Sequence, residues 1–199
     1  MERKINSSDE GLEQSRCFLL CDTTGNVGEL SLPEAERVSS PVQCLNRAVD
    51  LKPELIVVRI GRIALRAREA LVELSAALKR NSHTRTCPVL ALLHSKHRKL
   101  IEDLHRAGVD YVKDIGEITL DSSQMRKLIA ELGPDDRLEG HLALLCPFLH
   151  YRGIDARREL TFCGAYLDRM VLGGRQLHEV CETGNHLHYE YYLNPRIRS

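Results

Sequence analysis

The chain has no tryptophan, and aromatic residues make up only 5% of its 199 positions. Single-stranded nucleic acid is held on aromatic platforms interleaved with basic side chains, so this scarcity argues against such a binder. Neither charge is in surplus: 28 Lys and Arg face 28 Asp and Glu. A dedicated polyanion binder carries a basic excess, and nucleic acid is therefore not an expected partner. The local basic runs "KRNSHTR" (79–85) and "SKHRK" (95–99) have no aromatics among them and read as solvated surface. No apolar run approaches the roughly 20 residues that cross a bilayer. The first fifteen residues, "MERKINSSDEGLEQS", lack the apolar centre of a signal peptide and read as a disordered tail over 1–15. Paired CxxC knuckles are missing too. Seven cysteines, odd in number and widely spaced, do not make a secreted disulfide framework. The expectation is a cytoplasmic protein whose thiols are free or metal-bound.

The middle of the chain alternates between two kinds of segment. "CFLLCD" (17–22), "PELIVVRIG" (53–61), "CPVLALLHS" (87–95) and "VDYV" (109–112) are short apolar runs bounded by turn residues, as strands buried on both faces are. Between them lie helical patterns. "SPVQCLNRAVDLK" (40–52) spaces Val42, Leu45 and Ala48 helically and stops at Pro53. "ALRAREALVELSAALKR" (64–80) gathers Ala67, Ala70, Leu71, Leu74, Ala77 and Leu78 on one face. "SKHRKLIEDLHRAG" turns Leu100, Ile101, Leu104 and Ala107 inward and stops at Gly108. "LDSSQMRKLIAELGP" carries an Asp121/Gln124 capping box before Met125, Leu128, Ile129 and Leu132. Alternation of this kind predicts an α/β fold, a parallel sheet covered by helices.

Several stretches resemble the receiver domain of bacterial two-component response regulators. "CLNRAVDLKPELIVVRI" echoes the family's "ALxxxxxxxPDLIxxDI", "PVLALLH" its "PVIxLTA", and "AGVDYVKDI" its "AGADDYxxKP". The resemblance runs over roughly residues 16 to 132. It implies a flavodoxin-like, doubly wound sheet, with a receiver-like domain over 16–133. Only about nineteen residues (23–41) separate the first strand from the next helix, so the family's first helix is expected to be shortened or lost.

The departures fall on the chemistry. The resemblance puts the family's phosphorylated aspartate at Arg59, and its Mg²⁺-holding acidic pair shrinks to Asp22 preceded by Cys21. Its fourth-strand hydroxyl residue becomes Leu93, and its lysine falls at Lys113 only with a gap and without a following Pro. Phosphoryl transfer to an aspartate needs a carboxylate nucleophile and a cation on the phosphoryl oxygens. A guanidinium offers no nucleophile and repels Mg²⁺, so Asp22, Arg59, Leu93 and Lys113 read as a degenerate phosphoacceptor pocket with no Mg²⁺ expected. Carboxyl ends of neighbouring strands face one crevice in open α/β sheets, which brings Arg59 near Asp22. Either the two pair, or Arg59 snorkels to solvent.

The last third differs. Residues 134–150 carry Leu138, Leu142, Leu145 and Leu149 at heptad-like spacing and predict a connecting helix. From 146 to 199 the prediction is a small α/irregular module rich in cysteine and histidine. Cys146, Cys163 and Cys181 recur at separations of 17 and 18 residues, and His186 and His188 follow five and seven residues later. Three thiolates and an imidazole suit tetrahedral zinc, and the same thiolates suit an Fe–S cluster. The segment also resembles short bacterial cysteine modules of the form "CPxL…CxAY…C…CxYY", through "CPFL", "CGAY" and "EYYLNP". Tyr189 stands where the fourth cysteine would be. Ordinary buried cysteines are the alternative, most strongly at Cys17, Cys21, Cys44 and Cys87.

These features predict a signalling adaptor, not an enzyme, that needs no phosphorylation and works through protein partners of a signalling pathway. A homodimer is compatible with the sequence. The competing expectation is a metal- or redox-responsive sensor whose input is the C-terminal thiolates.

Overall fold

A computed structural model describes residues 18–24, 35–116 and 122–197. Five strands, β1 (Phe18–Asp22), β2 (Ala35–Val38), β3 (Leu55–Ile60), β4 (Val89–Leu93) and β5 (Tyr111–Asp114), run parallel in the order β2-β1-β3-β4-β5. This is the doubly wound, flavodoxin-like order. β2 was not anticipated: "AERV" is too short and polar to show a strand pattern, and it pairs only with β1 at the sheet edge. The 1–15 tail, Cys17 and Asp121 of the expected capping box lie outside the described residues, as does the 25–34 stretch in which a first helix would fall.

Helices α1 (Pro41–Leu51), α2 (Leu65–Arg80) and α3 (Arg98–Arg106) cover one face of the sheet. Cys44 and Ala48 from α1, Leu71, Leu74 and Leu78 from α2, and Leu100, Ile101 and Leu104 from α3 pack onto Leu19, Ile56, Val58, Ala91 and Leu93. Burying each large side chain there removes apolar surface worth about 1.5–3 kcal/mol. The opposite face, Phe18, Leu20, Leu55, Val57, Leu90 and Leu92, receives Met125 from α4 (Ser122–Ala130). Local signals set the helix ends. Ser40 accepts from the Gln43 amide with Pro41 next in line, and Lys52 closes α1 in the left-handed conformation before Pro53. The α3 cap is unusual: the His97 ring Nδ1 accepts from the Leu100 amide at 3.1 Å.

The expected 134–150 helix is broken. A short 3₁₀ turn at Pro134–Asp136 leads into α5 (Leu138–Leu144), and Leu149 already belongs to a strand. Pro147 explains the break, since it lacks an N–H and disfavours helix in the residue before it. Leu138 and Leu145 join the core of the larger sheet, whereas Leu149 packs in the module.

Beyond α5, three antiparallel strands, β6 (Leu149–Gly153), β7 (Glu159–Cys163) and β8 (Met170–Leu172), form a second sheet. Helical turns at Gln176–Cys181 and Gly184–His188 and a short helix α6 (Glu190–Leu193) follow. The helical and irregular segments accompany a sheet that was not anticipated, although β6 (LHYRG) and β7 (ELTFC) each alternate apolar and polar residues over four positions. Polar contacts bolt this module to the larger sheet. Arg68 of α2 makes a bidentate bridge to Glu159 of β7 at 2.6 and 2.8 Å. Tyr151 of β6 stacks on His97 at 3.7 Å between centroids, and its hydroxyl accepts from the Arg98 amide. The Leu65 amide donates to the carbonyl of Ala156 in the β6–β7 turn.

Candidate functional site

Register places Asp22, Arg59, Leu92 and Lys113 on one rung across β1, β3, β4 and β5. Rung partners in a parallel sheet share a face. Asp22 and Arg59 make direct contact: Arg59 Nη1 donates to Asp22 Oδ2 at 3.2 Å. A second guanidinium, that of Arg37 on β2, donates to the same oxygen at 2.9 Å. The other oxygen accepts from the Thr24 hydroxyl at 2.6 Å and the Thr24 amide at 3.0 Å. Both oxygens are thus engaged, and the Asp22 side chain has 0% exposure. Burial alone would raise this carboxyl; the Thr24 hydroxyl and amide, with Arg59 and Arg37, outweigh it and hold Asp22 below the ordinary carboxylate range. Gly61 follows β3 without a side chain because a Cβ there would meet Thr24 Cγ2 at 2.9 Å.

The other two residues of this pocket go elsewhere. Lys113 keeps its place on the rung, but its ammonium pairs with Asp136 at 2.6 Å. Asp136 comes from the 3₁₀ turn beyond α4, a partner that linear spacing could not indicate. Leu93, one residue past the rung, faces the helix-covered side and is buried in its core. Arg37 and Thr24 are the residues that sequence reasoning missed. Arg37 sits in the unanticipated edge strand, and nothing in the local pattern marks either one.

The second candidate site lies in the module. Cys146, Cys163 and Cys181 are buried in one apolar cluster with Leu149, Ala165 and Leu172. Cys146 stands just past α5, Cys163 ends β7, and Cys181 ends the turn after β8. The Cys146 amide donates to the Cys181 carbonyl at 2.8 Å, which fixes two of the thiols side by side. The Cys181 thiol donates to the Cys146 sulfur; this bond, then the Phe148 amide and the charges of His186 and Arg98, lowers the Cys146 thiol against burial. The same bond raises Cys181, and burial raises Cys163.

His186 is buried and His188 is exposed. The His186 Nδ1 lies 2.6 Å from the Thr183 carbonyl, which fixes that nitrogen as a donor. Its ring meets Tyr192 edge to face. Of the two histidines proposed as a fourth ligand, only His186 therefore lies inward with the thiols. The donor types suit zinc. Their arrangement does not: among the described residues, no three His, Cys, Asp or Glu side chains are placed to hold a metal ion.

By contrast, the thiols of the larger sheet lie in strand and helix cores. Cys21 and Cys44 touch each other, and their contact together with burial pushes Cys44 far above an ordinary thiol. Cys87 is raised by burial.

No family model matches the chain, and no curated protein matches it. Among solved structures, a response regulator from Desulfuromonas acetoxidans is 19% identical, covering 57% of this chain and 92% of that one at a TM-score of 0.39. A response regulator protein from Burkholderia multivorans is 17% identical, covering 58% and 92% at 0.40. The chemotaxis response regulator CheY4 of Vibrio cholerae is 12% identical, covering 57% and 96% at 0.41. The fold class rests on this chain's own strand order. No helix among the described residues is long and apolar enough to cross a membrane.

Proposed function

We propose that the protein is a phosphorylation-independent signalling adaptor, a receiver-like platform that engages protein partners in a fixed conformation. One observation carries this reading: the only rung carboxylate at the carboxyl edge, Asp22, has both oxygens engaged by Thr24, Arg37 and Arg59. Attack on phosphorus requires a carboxylate oxygen with a free lone pair facing solvent, and a Mg²⁺ site requires negative charge in excess. Two guanidiniums around one carboxylate leave no excess of negative charge on it for a cation. They also take the place that a bridging cation would occupy between strands, so the edge needs no metal to hold it. Incubation with acetyl phosphate and Mg²⁺ tests the reading by intact mass. The expected result is no adduct, and a stoichiometric, acid-labile phosphoryl adduct would overturn it.

A second reading, a metal- or redox-responsive sensor, is supported by the gathering of Cys146, Cys163, Cys181 and His186 around one cluster. Three thiols and an imidazole with a fixed Nδ1 partner are a zinc-type donor set, and the three sulfurs alone suit iron–sulfur chemistry. In support stand the donor types; the spacing of the side chains does not add to it. Metal analysis and an absorption spectrum on protein purified without oxygen separate the two readings. An iron chromophore favours the sensor, and zinc or no metal favours the adaptor.

A further inference from the structure

Strand β6 turns His150 and Arg152 to the outer face of the second sheet, where Phe162 of β7 stands opposite His150. The His150 Nδ1 lies 2.7 Å from Asp168 Oδ1. The β7–β8 connection holds this pair in two ways. A Cβ on Gly164 would lie 2.6 Å from His150 Cε1, so any side chain there would displace the ring. Leu167 and Asp168 both take the left-handed conformation, at φ of 56° and 54°. Leucine seldom adopts it, and residues held in such regions gather at functional sites. Here the Leu167 amide is tied to the Arg196 carbonyl at 2.9 Å, and the Arg169 amide to the Tyr166 carbonyl at 3.0 Å. A cavity of about 440 Å³ opens beside the pair, with Arg152, Phe162 and Pro147 in its wall. Helix α3 adds Lys99 and Glu102, which are already paired with Asp103 at 2.6 Å and Arg98 at 2.8 Å. Arg152 meets no carboxylate among the described residues; its guanidinium lies over the Phe162 ring, 5.6 Å from the centroid. Asp168 gives one oxygen to His150, and its Oδ2 meets no donor among the described residues. One cavity thus offers one guanidinium and one carboxylate oxygen.

We propose that this cavity binds a free apolar or aromatic α-amino acid, its carboxylate on Arg152, its ammonium on Asp168 and its side chain against Phe162 and Pro147. A zwitterion carries both charges on neighbouring groups and answers both open partners at once. A simple anion would face the Asp168 oxygen unanswered, and a simple amine would face the guanidinium. The guanidinium fork takes a planar carboxylate two oxygens at a time. Small-molecule sites occupy about 300–1,000 Å³ and combine apolar walls with a few placed polar groups, which is the make-up found here. His150 is a positioning residue: it takes Asp168 Oδ1 and so sets where Oδ2 stands. The inference goes beyond the adaptor reading and is independent of it, since neither a partner protein nor a phosphoryl group takes part.

Titration calorimetry of the full chain tests it, with leucine and phenylalanine as ligands and glycine, 4-methylpentanoate and 3-methylbutylamine as separate controls. Leucine or phenylalanine is expected to bind. Glycine lacks the side chain, and the other two lack one charge each; all three are expected to bind at least about tenfold more weakly. Arg152→Gln and Asp168→Asn should each lose about tenfold or more for the same ligand. Asparagine tolerates the left-handed conformation, so the second variant keeps the turn. Should it not fold, Arg152→Gln alone decides, because Arg152 is exposed on an edge strand. Absence of binding by both amino acids at millimolar ligand, or unchanged affinity in a folded variant, would overturn the proposal. A control that binds as tightly as the amino acids would overturn the ligand class.

Discussion

The two sheets of this protein bury chemistry in opposite ways. At the carboxyl edge of the five-stranded sheet, the buried charge of Asp22 is matched by two guanidiniums and two Thr24 donors, so that no polar capacity remains. In the three-stranded module, three thiols share a small apolar cluster, and one of them is held in a more acidic state by its neighbours. A large core on both faces of a sheet supplies enough apolar burial to carry a closed polar network as a fixed structural element. A small module has less apolar surface to bury and a greater share of its core in sulfur. The comparison teaches that one chain can enclose a carboxylate among charged partners in one sheet and set a thiol against a second thiol in another.

The sharpest way to break this contrast is to open the charge network. Arg37→Met together with Arg59→Met leaves the fully buried Asp22 carboxylate with only Thr24, and should cost roughly 3–5 kcal/mol in urea unfolding. Arg59→Met alone should cost clearly less, because Arg37 still bonds the same oxygen. A cycle with Asp22→Asn should be non-additive. Additive, small effects would mean that the network is ordinary surface pairing.

The junction between the two sheets is the next test. His97 is lowered from 6.5 to about 4 in the folded chain, chiefly by burial and then by the Arg68 charge. The unfolded state therefore binds the proton first as pH falls. Stability from this group is complete above about 6.5 and is lost as pH drops towards 4, by about 3 kcal/mol in all. Asparagine can still cap α3 but cannot titrate in this range. His97→Asn should therefore flatten the pH dependence of unfolding between pH 6.5 and 4, and an unchanged slope would assign the dependence to another group.

Thiol reactivity compares the two regions directly. With Cys146 lowered and Cys44 raised, alkylation of the native protein followed by peptide mapping should label Cys146 about tenfold faster or more at neutral pH. Its half-labelling should fall below the ordinary thiol pKa of about 8.5. Equal rates would make both sets of cysteines simple core residues. The smallest effect is expected at the module surface. Arg175→Ala removes an exposed pair with Glu179 one helical turn away, and should shift stability by no more than about 0.5 kcal/mol.

The amino-acid sequence by itself determined the parallel sheet and its helices, because apolar runs and helical stripes are local patterns that burial on both faces imposes. It also marked Arg59 at the edge, since an arginine closing an apolar strand is a visible exception. Partner choice was decided only in three dimensions. Asp22 takes Arg37 as well as Arg59, and Lys113 takes Asp136, through elements whose closeness no spacing announces. The same holds at the other end of the chain. The heptad of leucines from 138 to 149 predicted one helix, but Pro147 ends it and passes Leu149 to a strand, because a ring without an N–H cannot continue the ladder. Cysteine spacing named Cys146, Cys163 and Cys181 as candidates, and these three share one apolar cluster. Which of them bond, which histidine turns inward and which stays in water were set by packing against Thr183, Tyr192 and the small second sheet, and those are long-range contacts that a linear pattern does not carry.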